Sequence, residues 1–151
     1  MKTLVVYDSV YGNTERLARA IADALGPAGR VTVLRAGEAN PTEVAPGDLL
    51  IIGSPTQGGK PTQAVQDFLG RIPAKALEGV RVTSFDTRMK NIITPLFGYA
   101  AGRIGEAPKS RGGQVAAPAE GFLVKHREGP LKEGELERAA RWANDIVQSL
   151  K

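Results

Sequence analysis

The 151-residue chain has no cysteine and only one histidine, His126. These absences exclude a disulfide framework, a thiolate metal site, a cysteine nucleophile and a histidine metal cluster. Long apolar runs are missing as well. The first, Leu4 to Tyr7, stops at Asp8 after four residues, too short for a signal-peptide core. No run approaches the roughly 20 apolar residues of a membrane-crossing helix. The expectation is a cytoplasmic protein with neither a membrane nor nucleic acid among its partners. Two phosphate-binding signatures are also lacking: nothing matches the Gly-Lys-Ser/Thr ending of a P-loop or the Gly-x-Gly-x-x-Gly dinucleotide fingerprint. A nucleoside triphosphatase of the P-loop type is thereby excluded.

A chain of this length fits one domain, residues 1–151, and buries roughly 68–70% of the surface that its unfolded form exposes. It therefore needs no metal or disulfide to fold. The net charge of +4 is local: between Arg88 and Arg111 stand Arg88, Lys90, Arg103, Lys109 and Arg111 against Glu106 alone. That segment carries the whole excess and suits an acidic partner protein or an anionic substrate.

Strand and helix patterns alternate along the chain. The near-continuous apolar run Thr3 to Tyr7 predicts a central strand covered on both faces. Leu17, Ala20, Ile21, Ala24 and Leu25 predict a helix from about Thr14 to Leu25, stopped by residues 26–29. Val31 to Leu34 predicts a second strand, and residues 37–47 a polar loop with at most one helical turn near Asn40 or Thr42. Strands follow at Leu49 to Ile52 and Val80 to Phe85, with a helix carrying Val65, Phe68 and Leu69 between them. A helix of doubtful straightness covers Ile92 to Ile104, and a strand region from Val115 to Val124 is interrupted by Pro118 and Gly121. The clearest helix runs from about Glu133 to Leu150, with Glu135 set against Arg138 and Glu137 against Arg141. Five strands joined by helix-length crossovers imply a three-layer α/β fold, a parallel sheet with helices on both faces. In such sheets ligands bind beyond the carboxyl ends of the strands where the strand order reverses.

Three loops meet at that end. The first, Ser9-Val10-Tyr11-Gly12-Asn13-Thr14, joins strand one to helix one. A helix N-terminus presents backbone N–H groups without internal partners, so it accepts a phosphate readily. Ser9, Tyr11, Asn13 and Thr14 add side-chain donors, and Gly12 lets the backbone approach closely. The loop supplies no lysine. The second, Pro55-Thr56-Gln57-Gly58-Gly59, follows strand three; the third, Asp86-Thr87-Arg88, follows strand four.

In this order the three loops resemble those of the flavodoxin family, whose phosphate loop reads Thr/Ser-x-Thr/Ser-Gly-x-Thr. Tyr11 departs from that pattern and is similar to the quinone-reductase branch of flavodoxin-like proteins. The resemblance implies the strand order 2-1-3-4-5 and a flavin mononucleotide (FMN) cofactor. It implies a phosphate held by residues 9–14 and an isoalloxazine ring lying along residues 55–59. It also implies a glycine peptide at Gly58 that turns to accept a hydrogen bond from N5, with the pyrimidine edge beside Asp86, Thr87 and Arg88. Electrons would pass to a redox partner protein or to a small acceptor such as a quinone, so an electron carrier and a quinone-reductase-like oxidoreductase both remain open. Loops two and three carry no aromatic residue, unlike those of electron-carrier members, leaving Pro55, Gln57, Thr87 and Met89 as alternatives. Lys60 and Arg88 would place positive charge at the ring, where electron-carrying flavodoxins are acidic. A flavin-free binding or regulatory domain of the same fold is the alternative reading.

Overall fold

A computed structural model describes residues 1–26, 30–90 and 99–151. Strand β1 (Thr3–Tyr7) is buried along its whole length. It pairs in parallel with β2 (Val31–Arg35) on one side and with β3 (Leu49–Pro55) on the other, so Thr3 faces both Val31 and Leu49. A strand with neighbours on both edges and helices on both faces has no surface left for water, which explains its unbroken apolar sequence. Strand β4 (Arg81–Met89) continues the parallel sheet beside β3. The order is β2-β1-β3-β4-β5, where β5 is Gln114–Val115; β6 (Glu120–Val124) also pairs with β4.

The alternation of side chains along a strand sorts them into two cores. Leu4, Val6, Leu50 and Ile52 point to one face, packing with Val65 and Phe68 of α2 (Gln63–Gly70) and with Ala100 and Ile104 of α3 (Ala100–Ile104). Val5, Tyr7, Leu49 and Ile51 point to the other, against Leu17 and Ile21 of α1 (Asn13–Leu25) and Ala139, Ala143 and Ile146 of α5 (Glu135–Ser149). Within that second core Phe85, Phe122 and Trp142 meet edge-to-face, with centroids 5.9–6.2 Å apart. Gly53 pairs with Phe85 across the sheet, and a Cβ there would fall 2.1 Å from the Phe85 ring. The glycine is what admits the aromatic ring.

Several boundaries differ from the sequence reading for identifiable reasons. Strand β4 runs on to Met89 because Phe85–Met89 pair with Glu120–Val124, so Asp86, Thr87 and Arg88 belong to a strand and not to a loop. The strand region 115–124 is divided at residues 116–119, which contain Pro118. Its two pieces hydrogen-bond to the same edge of β4, and Thr83 donates its hydroxyl to the Ala117 carbonyl (3.0 Å) across the gap. The single helical turn in the 37–47 loop is Pro41–Glu43, capped by Asn40, whose side chain accepts from the Thr42 amide at 3.0 Å. Of the helix expected over 92–104, residues 92–98 lie outside the described residues. The described part ends at Ile104, and a second short helix, α4 (Glu106–Ser110), follows it. The helix stop at residues 26–29 falls on Gly26, at φ 135, with residues 27–29 outside the described set. Glu135 pairs with Arg138 at 2.9 Å as the spacing predicts; among the described residues Glu137 and Arg141 form no ion pair.

Candidate functional site: a cleft at the carboxyl ends of β1, β3 and β4

The first two loops and the carboxyl end of β4 close on a cleft of about 370 Å³, within the roughly 300–1,000 Å³ range of small-molecule sites. Ser9, Val10, Tyr11, Asn13 and Thr14 line one end; Pro55, Thr56, Gln57 and Gly58 line a second wall; Thr87, Arg88 and Met89 form the floor and far side. Gly12, Gly59 and Asp86 are absent from the lining.

The first loop is wound around Ser9. Its Oγ accepts from the amides of Gly12 (3.1 Å) and Glu15 (3.3 Å), leaving the hydroxyl proton available as a donor. Gly12 sits at φ 93, a left-handed conformation that costs other residues about 1–2 kcal/mol. Among the described residues the amides of Asn13 and Thr14 have no acceptor, and they open α1 at the cleft. Thr14 is buried, with its Oγ1 3.0 Å from Thr87 Oγ1. The Asn13 side chain donates to the Glu128 carbonyl (3.2 Å).

A cation that loop one itself lacks arrives from the end of β2. Arg35 donates to the Ser9 carbonyl (3.3 Å) and lies 3.5 Å from both Asp8 and Glu15. Glu15 also accepts from Arg19 (3.0 Å) and from the Tyr7 hydroxyl (3.0 Å). The Arg19 hydrogen bond, followed by that from Tyr7, holds the Glu15 carboxyl below its ordinary range; burial and then the Glu15 bond push the Tyr7 phenol up. Two arginines balance two carboxylates, so this collar braces the loop without lending it net charge.

Loop two ends in a tight hairpin. Gln57 and Lys60 exchange backbone hydrogen bonds (2.8 and 3.0 Å), with Gly58 at φ 57 and Gly59 at φ 80 between them. Two positive φ values in succession define a type I′ turn, which explains the Gly-Gly pair. Ser54 fastens the loop by accepting from the Thr62 amide (3.0 Å). Thr56 is held twice: its amide donates to the Thr87 carbonyl (2.9 Å) and its Oγ1 accepts from the Ala100 amide (3.1 Å).

Asp86 lies beneath the cleft, fully buried, and both its oxygens are occupied. Arg88 donates to them from Nε and a terminal nitrogen, each at 2.7 Å, and the Ala101 amide adds a third bond at 2.9 Å. Burial pushes the carboxyl up, and the Arg88 and Ala101 bonds pull against it. The Arg88 guanidinium lies 3.4 Å from the Tyr99 ring centroid and directly over Gly121. Arg88 therefore touches the cleft while its charge is committed to Asp86. Tyr99 immediately precedes α3 and stacks on this arginine.

Two lining residues were missed in the sequence, Val124 and Arg127. Both come from β6 and the turn after it, which reach the cleft only because β6 resumes pairing beyond Pro118. Val10, Tyr11 and Met89 are among the few large apolar side chains left exposed, at 51%, 46% and 41%, and all three rim this cleft. An apolar rim over a polar, donor-rich end suits a ligand with a flat ring and a charged tail.

Comparison with known proteins agrees with this geometry. The flavodoxin family pattern matches residues 5–142, and the chain belongs to the flavodoxin family. Oxidised flavodoxin 1 from Bacillus cereus superposes with a TM-score of 0.80 at 20% identity over 100% of both chains. A flavodoxin from the domain Archaea superposes with a TM-score of 0.79 at 23% identity, covering 99% of each. The putative diflavin flavoprotein A 4 of Synechocystis is 37% identical over 81 residues, which is 50% of this chain and only 14% of that protein's length. The fold order 2-1-3-4-5 and the FMN cofactor expected from the sequence stand with this membership, and the chain is an FMN-binding redox protein. Among the described residues no helix is long and apolar enough to cross a membrane, and no group of acidic or histidine side chains could hold a metal ion.

Proposed function

We propose that the cleft holds FMN with its phosphate on the amides and hydroxyls of Ser9 to Thr14, and that the protein passes electrons to an acidic partner. The observation that carries the binding reading is the pair of unpartnered amides, Asn13 and Thr14, opening α1 into the cleft beside the Ser9 and Thr14 hydroxyls. Bound FMN supplies an isoalloxazine ring that takes up and returns one or two electrons. Pro55, Gln57, Thr87 and Met89 border the space for that ring, with Tyr11 the one aromatic side chain among the described lining residues. Rotating the Gly58–Gly59 peptide converts the type I′ turn to type II′ while Gln57 and Lys60 stay paired. That movement turns the Gly58 carbonyl over and offers it as an acceptor to a protonated N5.

The partner reading rests on a groove of about 390 Å³ beside the same turn, lined by Lys60, Pro61, Gln66, Arg103 and Arg111. Lys60 is exposed, and Arg111 is held by the carbonyls of Ile72 (2.9 Å) and Ala107 (3.3 Å), which leave its charge unneutralised. A surface of this sign steers acidic proteins toward the cleft. Purified protein tests the cofactor: a yellow preparation that releases FMN on acidification supports it, and a colourless one that binds no added FMN overturns it. For the partner, electron transfer to an acidic electron-transfer protein should slow with rising salt and in the Lys60→Glu, Arg103→Glu variant. Transfer to a neutral benzoquinone should not change. Equal rates across salt and variant would reduce the groove to a solvated surface.

A further inference from the structure

We infer that Arg127 is the counter-ion of the cofactor phosphate, supplied to the first loop from the opposite end of the chain. The inference rests on the reading of the cleft as an FMN site. Arg127 occupies the middle of a turn in which the Gly129 amide donates to the His126 carbonyl (2.9 Å). The turn is closed at its base by Lys125 and Pro130 (2.9 Å), and the Lys132 amide donates to Leu123 (2.9 Å) below it. Its tip is fastened to the phosphate loop: Asn13 donates to Glu128, and Gly129 approaches so closely that a Cβ would lie 2.7 Å from the Asn13 amide group. Between these fasteners Arg127 lines the cleft with Ser9, Asn13 and Thr14. Its charge is uncommitted. Arg88 is bound to Asp86 and Arg35 to Asp8 and Glu15, whereas Arg127 has no ion-pair partner among the described residues. A guanidinium matches a phosphate monoester with paired donors and a fixed positive charge, the one element the first loop does not contain.

The test is titration of the apoprotein with FMN, riboflavin and inorganic phosphate. Arg127→Met should weaken FMN about tenfold or more while leaving riboflavin within about twofold. It should also flatten the salt dependence of FMN affinity, and Arg127→Lys should restore part of it. Inorganic phosphate should compete with FMN less well against the variant than against the native protein. Arg127 is exposed on a surface turn, so an unchanged melting temperature of the apoprotein will show that the variant folds. Equal losses for FMN and riboflavin would make Arg127 a packing residue, and unchanged FMN affinity would make it a solvated one; either overturns the inference. If Thr14→Ala still separates FMN from riboflavin in those cases, the phosphate loop stands and only Arg127's role falls. If neither variant separates them, the cleft reading fails first.

Discussion

Thr14 Oγ1 and Thr87 Oγ1 lie 3.0 Å apart, tying the first turn of α1 to the carboxyl end of β4 beneath the cleft. With Thr87 as donor, the Thr14 hydroxyl proton is left for a phosphate oxygen. Replacing Thr14 by Ala should weaken FMN binding about tenfold or more, since a hydrogen bond to a charged group is worth roughly 1.5–3 kcal/mol. Riboflavin should bind almost as before. Thr87→Val should give a smaller loss of the same selectivity by freeing Thr14 from its donor. Fluorescence titrations with both flavins measure each effect, and parallel losses for the two ligands would remove the phosphate from this end of the cleft.

Gly121 is shaped by Arg88, whose Cζ would stand 2.2 Å from a Cβ at that position. Gly121→Ala should push the guanidinium off Asp86, leaving a fully buried carboxylate short of its partner and costing about 3 kcal/mol or more. The same change made in an Arg88→Ala, Asp86→Asn background should cost well under half as much. Chemical denaturation of the four combinations gives the coupling. Additive effects would mean that Gly121 serves the backbone alone.

Glu135 joins α5 to β6 by accepting from the Leu123 amide (2.7 Å) and from Arg138 at 2.9 Å. The Arg138 bond first, and the Leu123 amide after it, hold the carboxyl below the ordinary glutamate value against the opposing pull of burial. The unfolded chain takes up its proton at a higher pH than the folded one. The stabilisation is therefore complete above the ordinary value and disappears as pH falls through the lowered one. Glu135→Gln should cost roughly 1.5–3 kcal/mol at pH 7 and progressively less as pH falls below the ordinary glutamate range. Asp86, whose carboxyl is raised, has the opposite dependence in both proteins and cancels in the difference. Urea unfolding from pH 2 to 7 measures it, and a difference independent of pH would assign the loss to packing.

At the Gly58–Gly59 turn, Gly58 has φ 57 and open space around its Cβ position. Alanine tolerates the left-handed conformation of a type I′ turn at a cost, and the type II′ alternative far less. Gly58→Ala should therefore disfavour the turned carbonyl and lower the first reduction potential relative to the second. The native protein, with Lys60 beside this turn and no carboxylate among the described lining residues, should show a smaller gap between the two steps than an acidic flavodoxin. Reductive titration followed by visible absorption reads both, and a wider gap in the variant would contradict the peptide rotation.

The fold was legible because the features that specify it are local. Thr3 to Tyr7 read as a doubly covered strand and is buried as predicted, and Leu49 to Ile52 read as a strand and open β3. The turn from β1 into α1 was legible from Ser9, Gly12 and Thr14, because a turn into a helix is a matter of adjacent residues. What escaped depends on pairing between distant segments. Nothing near Asp86 shows that β4 continues past Phe85; that follows from Glu120–Val124 lying alongside. The same pairing brings Arg127 to the cleft, while the charge of Arg88, which also lines it, is committed to Asp86, only two residues away on the same face of the strand. Opposite charges spaced i and i+2 on a strand share a face, and this signal was available in the sequence.

The divided outer strand has a consequence for the protein at high concentration. A long, flat edge would present a row of unpaired amides and carbonyls to a second sheet and so seed fibrils. Here β5 ends after two residues, both exposed, with Val115 at 63%, and residues 116–119 carry a proline that has no amide hydrogen to give. An incoming strand would lose its register at the break before it could gain enough bonds to stay. The cost of a weakened fifth strand is thus offset by an edge that resists aggregation.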